Sequence, residues 1–194
     1  MISKVRVILV LILLLVTTAL CSFLIGTEFG KKIIIDMNYT DIRSQTKYTF
    51  LPEEISNYIC GLTDALELDT DLVIAILMKE NPKFNPEAIH RNKNGTVDCG
   101  LFQLNDRYLW TEYKIKYWYK DLGELDPFNW KHNAYLAIHH IKTLDKQLKS
   151  QDEVIMAYNC GKQAVMSNRI PKTTKDYLSA VKNNLILLKK DYTF

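Results

Sequence analysis

Glu80 closes the apolar run Val73-Ile74-Ala75-Ile76-Leu77-Met78 and stands two residues before Pro82. A carboxyl group at the end of such a run is partly removed from water, and desolvation disfavours its charged form. Its pKa rises and the acid stays protonated near neutral pH, the state in which a carboxylic acid cleaves a glycosidic bond. Taken from the helix alone, the plainer reading is a solvated glutamate in a last helical turn. Other chemistries fit less well. Asn92, Asn94 and Asp98 have the look of a calcium loop, but His90 falls at the first ligand position and Leu101 at the closing acid, which fails the EF-hand pattern. His132, His139 and His140 have no acidic residue at ligand spacing, and the cysteine spacings match no zinc pattern. Neither a metal nor a cofactor is expected.

Several elements must position Glu80. Pro52 suits a first helical position and Glu53 and Glu54 a first turn; Ile55, Ile59, Leu62 and Leu66 then recur at helical spacing. A second helix is predicted from about Thr70 to Glu80, stopped by Pro82 and Pro86. Residues 90–98 are polar, and Asn94-Gly95 favours a β-hairpin. Helical patterns resume at about 106–120 and 129–149. Ser150 with Glu153 forms a capping box for a helix ending near Cys160-Gly161, and a last helix runs from about Thr174 to Lys189. The expected fold is mainly α with one small β-hairpin.

In order along the chain stand Glu80 with Phe84-Asn85-Pro86, Gly100-Leu101-Phe102-Gln103, Asp126-Pro127 with Asn129, Ala134 and Leu136, Ala157-Tyr158-Asn159-Cys160-Gly161, and Pro171 with Tyr177. This series resembles the lytic transglycosylases of the SLT domain family over about residues 52–185. Any one motif is weak; their order and spacing are more specific. The stretch Asn92 to Asn105 is most similar to a subgroup associated with secretion and conjugation machines, and animal c-type lysozymes carry a similar pattern. The sequence departs from the family at Asn81, where a serine is usual, at Phe102 for a methionine and at Cys160 for an alanine.

The resemblance implies a lysozyme-like α+β domain acting on peptidoglycan glycan strands. Glu80 would protonate the MurNAc–GlcNAc β-1,4 oxygen, then take a proton from the C6 hydroxyl of the same muramic acid, giving a 1,6-anhydro product. Attack within one sugar gains from proximity and needs no second carboxylate. A lysozyme-type muramidase is the alternative, with Asp98 as a second carboxylate about 5–5.5 Å from Glu80. A non-catalytic wall-binding module is a third reading. The resemblance also implies that Gln103 contacts the sugar, that Tyr158 holds Glu80 or the N-acetyl group, and that Asn159 supports the same site. Asn81 replaces the serine as a hydrogen-bonding group for carboxylate or sugar, and in the transglycosylase reading Asp98 braces the hairpin. For Tyr158 the plainer role is a core aromatic. Trp110, Tyr117, Trp118 and Tyr119 suit core packing better than sugar stacking.

Lys4 and Arg6 precede the uncharged, mostly apolar run Val7 to Ile25. About 20 such residues cross a bilayer, and the leading charges put the chain beyond the run outside the cytoplasm. Residues 1–26 thus read as a signal anchor, with a cleaved signal peptide after Thr17-Thr18-Ala19 as the rival. A lipid on Cys21 is disfavoured by the bulky Leu20. Residues 27–51 read as a spacer and 52–194 as the enzymatic domain, on the extracytoplasmic side of a bacterial envelope and anchored to the inner membrane. A secretion or envelope-spanning machine is a candidate partner. The net charge of +3 is dispersed among acidic residues, which argues against nucleic acid. Cys60, Cys99 and Cys160 are expected as reduced thiols; the family fold would also bring Cys99 and Cys160 close enough for a disulfide.

Overall fold

The computed structural model describes residues 47–107 and 126–190. The apolar run, nearly all of the spacer and the aromatic segment with Trp110, Tyr117, Trp118 and Tyr119 lie outside the described residues. Among the described residues no helix is long and apolar enough to cross a membrane.

Six helices and three short strands make up the described chain: α1 (Glu53–Ala65), α2 (Thr70–Glu80), β1 (Ile89–Arg91), β2 (Val97–Cys99), β3 (Leu104–Asn105), α3 (Trp130–Gln147), α4 (Gln151–Cys160), α5 (Lys162–Met166) and α6 (Lys172–Lys190). This mainly helical architecture with a small sheet fits a lysozyme-like α+β fold.

The centre of the fold is α2. Val73 to Leu77 are fully buried, so the helix is covered on every side rather than along one stripe. α1 and α6 pack on it, α4 packs on α6, and α3 bridges α1 and α4. Asp69 caps α2, accepting from the backbone N–H of Asp71 at 3.0 Å. At its other end Asn81 leaves helical geometry (φ −146°), as a residue before proline must. Asn129 caps α3 and Ser150 caps α4. Glu153 reaches back to the N–H of Lys149 at 2.7 Å, one residue earlier than a capping box requires.

Three expectations change. The hairpin is a three-stranded antiparallel sheet, ordered β1-β2-β3, because the turn at Gly100–Gln103 folds Leu104 and Asn105 back onto Cys99 and Asp98. A short helix, α5, lies between α4 and α6. The packed domain also begins before Pro52. Tyr48 and Leu51 are buried, Lys47 pairs with Asp71 at 2.6 Å, and the Tyr48 hydroxyl donates to the same carboxylate at 2.7 Å. The last five residues assigned to the spacer are therefore part of the fold.

Candidate active site

A cleft of about 680 Å³ opens between the sheet and the α4–α5 corner, with Glu80 among its lining residues. Glu80 reaches it because α2 ends there. Its carboxyl accepts one strong hydrogen bond, from the Tyr177 hydroxyl on α6 at 2.6 Å. Burial pushes its pKa up to about 7; the Tyr177 bond and the Lys79 charge pull the other way, and Asp98 adds the weakest of the four influences, upward. The acid is thus poised between its two protonation states at neutral pH, as general acid–base catalysis requires.

Asp98, in the middle of β2, has the opposite environment. Its Oδ2 accepts from Asn92 Nδ2 at 2.8 Å and its Oδ1 from Asn105 Nδ2 at 2.6 Å. The same two asparagines also donate to Thr96 Oγ1. The residues that resemble a cation loop therefore form a closed hydrogen-bond net, with amide donors aimed at the carboxylate.

Gln103 lines the cleft in a left-handed backbone conformation (φ +50°). Its Nε2 donates to the carbonyls of Gly100 at 2.8 Å and Ala88 at 3.1 Å, which fixes the side chain in place. Asn133, fully buried on α3, is the support beneath this turn. Its Oδ1 accepts from the Phe102 N–H at 2.7 Å, and its Nδ2 donates to the carbonyls of Cys99 and Pro127 at 2.9 and 3.0 Å. Gly100 has φ +76°, and a Cβ there would collide with Asn133 and the Pro127 carbonyl. Both its conformation and its neighbours thus demand glycine.

Tyr158 and Asn159 come to the cleft on α4. The Tyr158 hydroxyl donates to the Phe102 carbonyl at 3.1 Å, so it braces the Gln103 turn; of the two roles expected of it, holding Glu80 or holding the N-acetyl group, the hydrogen bond to Glu80 is made by Tyr177. Burial, helped by the charges of Glu80 and Asp98, raises the pKa of Tyr158. Burial likewise raises that of Tyr177, which stays a donor. Asn159 Oδ1 accepts from Thr174 Oγ1 at 2.7 Å, tying α4 to α6. Asn81 does not line the cleft. It is 5% exposed, and its amide is engaged with the backbone of Asn85, donating to the carbonyl at 2.7 Å and accepting from the N–H at 3.1 Å. Those bonds hold the turn in which Phe84 adopts φ +52°, a strained conformation for an aromatic residue. Cys99 and Cys160 are free thiols, so no disulfide joins them.

A partly dehydrated acid in a cleft of amides and hydroxyls is equipped for acid-catalysed cleavage of a sugar polymer. The family model described as the transglycosylase SLT domain matches residues 57–179. The chain belongs to the transglycosylase SLT domain family. Proteins with this domain are typically peptidoglycan lytic transglycosylases, which act as lyases, and the domain implies binding of peptidoglycan. No curated protein and no solved structure matches the chain significantly. Within the SLT span, Tyr177 and Asn133 are the residues whose part in the site the sequence reading missed.

Proposed function

We propose that this SLT-domain protein cleaves the MurNAc–GlcNAc β-1,4 bond of peptidoglycan with formation of 1,6-anhydro-MurNAc, using Glu80 as acid and then base. The observation that carries the reading is the contrast between the two carboxyls of the cleft. Glu80 has a pKa raised to about 7 and one hydroxyl donor, so it exchanges a proton at neutral pH. Asp98 has an amide donor on each oxygen. Both of its oxygens are thus engaged in bracing the sheet. Together with the SLT domain, typical of lytic transglycosylases, that engagement favours attack by the substrate's own C6 hydroxyl over a lysozyme-type displacement. Cleft residues Gln103, Asn159 and Asn105 supply polar contacts for the sugars.

The same reading places the domain on the outer side of a bacterial inner membrane, held by the Val7 to Ile25 run behind Lys4 and Arg6. The pattern from Asn92 to Asn105 supports service to a secretion or envelope-spanning machine, for which a local gap in the wall would be opened.

Digestion of purified peptidoglycan with the full-length chain, followed by mass spectrometry of the muropeptides, tests the mechanism. The expected products end in 1,6-anhydro-muramic acid, one water lighter than hydrolytic ones. Reducing-end products would overturn it and return Asp98 to the role of second catalytic carboxylate. Wall binding without any cleavage would leave a non-catalytic module.

A further inference from the structure

Two consecutive residues of α2 take hold of Tyr177 at different points. Its hydroxyl donates to the Glu80 carboxyl at 2.6 Å, and the Lys79 ammonium stands over its ring, 5.6 Å from the centroid. Neighbouring residues of a helix project about 100° apart, so two such side chains meet on one partner only where that partner lies between them. Tyr177 lies there because α6 packs along α2.

Lys79 is exposed, and among the described residues it makes no ion pair. The plain role of a lysine in the last turn of a helix is a solvated cation near the negative end of the dipole. That role does not ask the ammonium to lie over a ring. A cation is attracted to the negative face of a tyrosine, and the tyrosine it meets here is the one that donates to Glu80. The hydroxyl bond alone attaches Tyr177 to α2 at the oxygen. The cation adds a second attachment on the ring, so any turn of the phenol away from Glu80 loses both.

We propose that Lys79 is a positioning residue of the site: its ammonium, laid over the Tyr177 ring, keeps the phenol hydroxyl donating to Glu80. The inference rests on the reading of Glu80 as acid and base and deepens it, by naming what holds the hydroxyl donor of that acid in place. Lys79 also acts on Glu80 directly, since its charge lowers the pKa as the Tyr177 bond does, and the two routes must be separated. The other groups that face Glu80 are Asp98 from the sheet and Tyr158 from α4. His140 of α3 and Lys162 of α5 line the same cleft.

The test compares Lys79→Gln, Lys79→Arg, Tyr177→Phe and the pair Lys79→Gln with Tyr177→Phe, each in the full-length chain in detergent micelles. Tyr177→Phe keeps a ring beneath the cation and removes only the hydroxyl. Measurements are made at about 0.5 M salt, where a Debye length of about 4 Å screens the direct charge of an exposed lysine. Two quantities are read: the pH–rate profile on purified sacculi, and the titration of the Glu80 carboxyl carbon by NMR, which needs no catalysis. Lys79→Gln should lower kcat about two- to fivefold and move the alkaline limb and the titration upward by about half a pH unit, the scale of a cation on an aromatic face. Lys79→Arg should restore both, since a guanidinium also stacks on a ring. In the Tyr177→Phe background, Lys79→Gln should change neither. An equal shift in both backgrounds would mean that Lys79 acts by its charge alone, and no shift in either would make it a bystander; each overturns the inference and leaves Glu80 as the acid. If sacculi are not cleaved at all, the acid–base reading fails, and the titration still decides whether Lys79 acts through Tyr177.

Discussion

Glu80 and Asp98 face the same cleft and have nearly opposite surroundings. Glu80 stands at the end of a helix buried on all sides and receives a single hydroxyl donor from α6. Asp98 stands on a three-residue strand and receives a donor on each oxygen, from asparagines that flank it in the chain. The first environment withholds stabilisation from a negative charge; the second engages both carboxyl oxygens with amide donors. Two carboxyls in one cleft thus acquire different jobs from burial and hydrogen bonding alone. The sharpest way to break the comparison is to remove each in turn. Glu80→Gln should lower kcat on purified sacculi by about a hundred- to ten-thousandfold, the scale of a lost general acid, with the fold retained. Asp98→Asn should keep most of its turnover at temperatures where it stays folded. An equal collapse in both would mean that Asp98 reacts.

Stability should move in the reverse order. The folded pKa of Glu80, about 7, lies above its ordinary value of 4.5. The folded state therefore holds this proton more tightly than the unfolded chain does. The resulting stabilisation is relative to the ionised form: it is fully present below about pH 4.5 and is lost as pH rises to about 7. At neutral pH and above, ionisation of Glu80 in the unfolded chain thus destabilises the fold by up to about 3 kcal/mol. Glu80→Gln removes that penalty. Its unfolding midpoint in urea should exceed the wild type's at pH 8, and the two should converge near pH 4. Asp98→Asn, by contrast, turns an amide N–H toward Asn92 or Asn105, leaves a donor without an acceptor, and should lose about 1–3 kcal/mol at pH 7.

Tyr177 sharpens the comparison at the level of one hydrogen bond. Its hydroxyl favours the ionised form of Glu80 and so lowers the pKa from what burial alone would give. Tyr177→Phe should shift the alkaline limb of the pH–rate profile upward from about 7 and lower kcat at its optimum by about tenfold through loss of carboxyl positioning. A limb that stays put, or moves down, would mean that the Tyr177 bond does not act on the ionised carboxyl.

Legibility in the sequence tracks the range of the interactions. α2, α3 and α4 were readable within a residue or two, because caps and prolines act locally: Asn81-Pro82 ends α2 and Ser150 with Glu153 starts α4. The hairpin was readable from Asn94-Gly95. β3 was not, since two residues have no periodicity and its pairing depends on the left-handed backbone of Gln103. Glu80 was identified through its neighbours in the chain. Its partner Tyr177 is 97 residues away; the sequence shows it in the Pro171–Tyr177 motif and as a hydroxyl inside the buried stripe Thr174, Tyr177, Val181, Leu185 and Leu188, and neither signal names Glu80 as its partner. Asn133 gave a similar unread signal, an amide leading the buried run Ala134 to Ile138; a polar side chain there needs internal partners. Motif order located the site, while the hydrogen-bond partners within it depend on tertiary contacts that spacing does not encode.

Asn81 offers the finest test, because it adjoins Glu80 in sequence yet differs from it in function. The resemblance to SLT proteins casts this position as a serine that faces carboxylate or sugar. Here the longer amide turns away and makes two hydrogen bonds to Asn85, spanning the turn that holds Phe84 at φ +52°. Asn81→Ser shortens the side chain and removes that span. The backbone of Asn85 is exposed enough for water to replace part of what is lost. The expected result is therefore small: about 1 kcal/mol of stability by urea unfolding, with KM for sacculi unchanged and kcat within about threefold. If Asn81 instead contacts the sugar, KM will rise while stability stays level. The Glu80 corner would then extend one residue further along the chain, and the division between one reactive carboxyl and its surrounding braces would have to be redrawn.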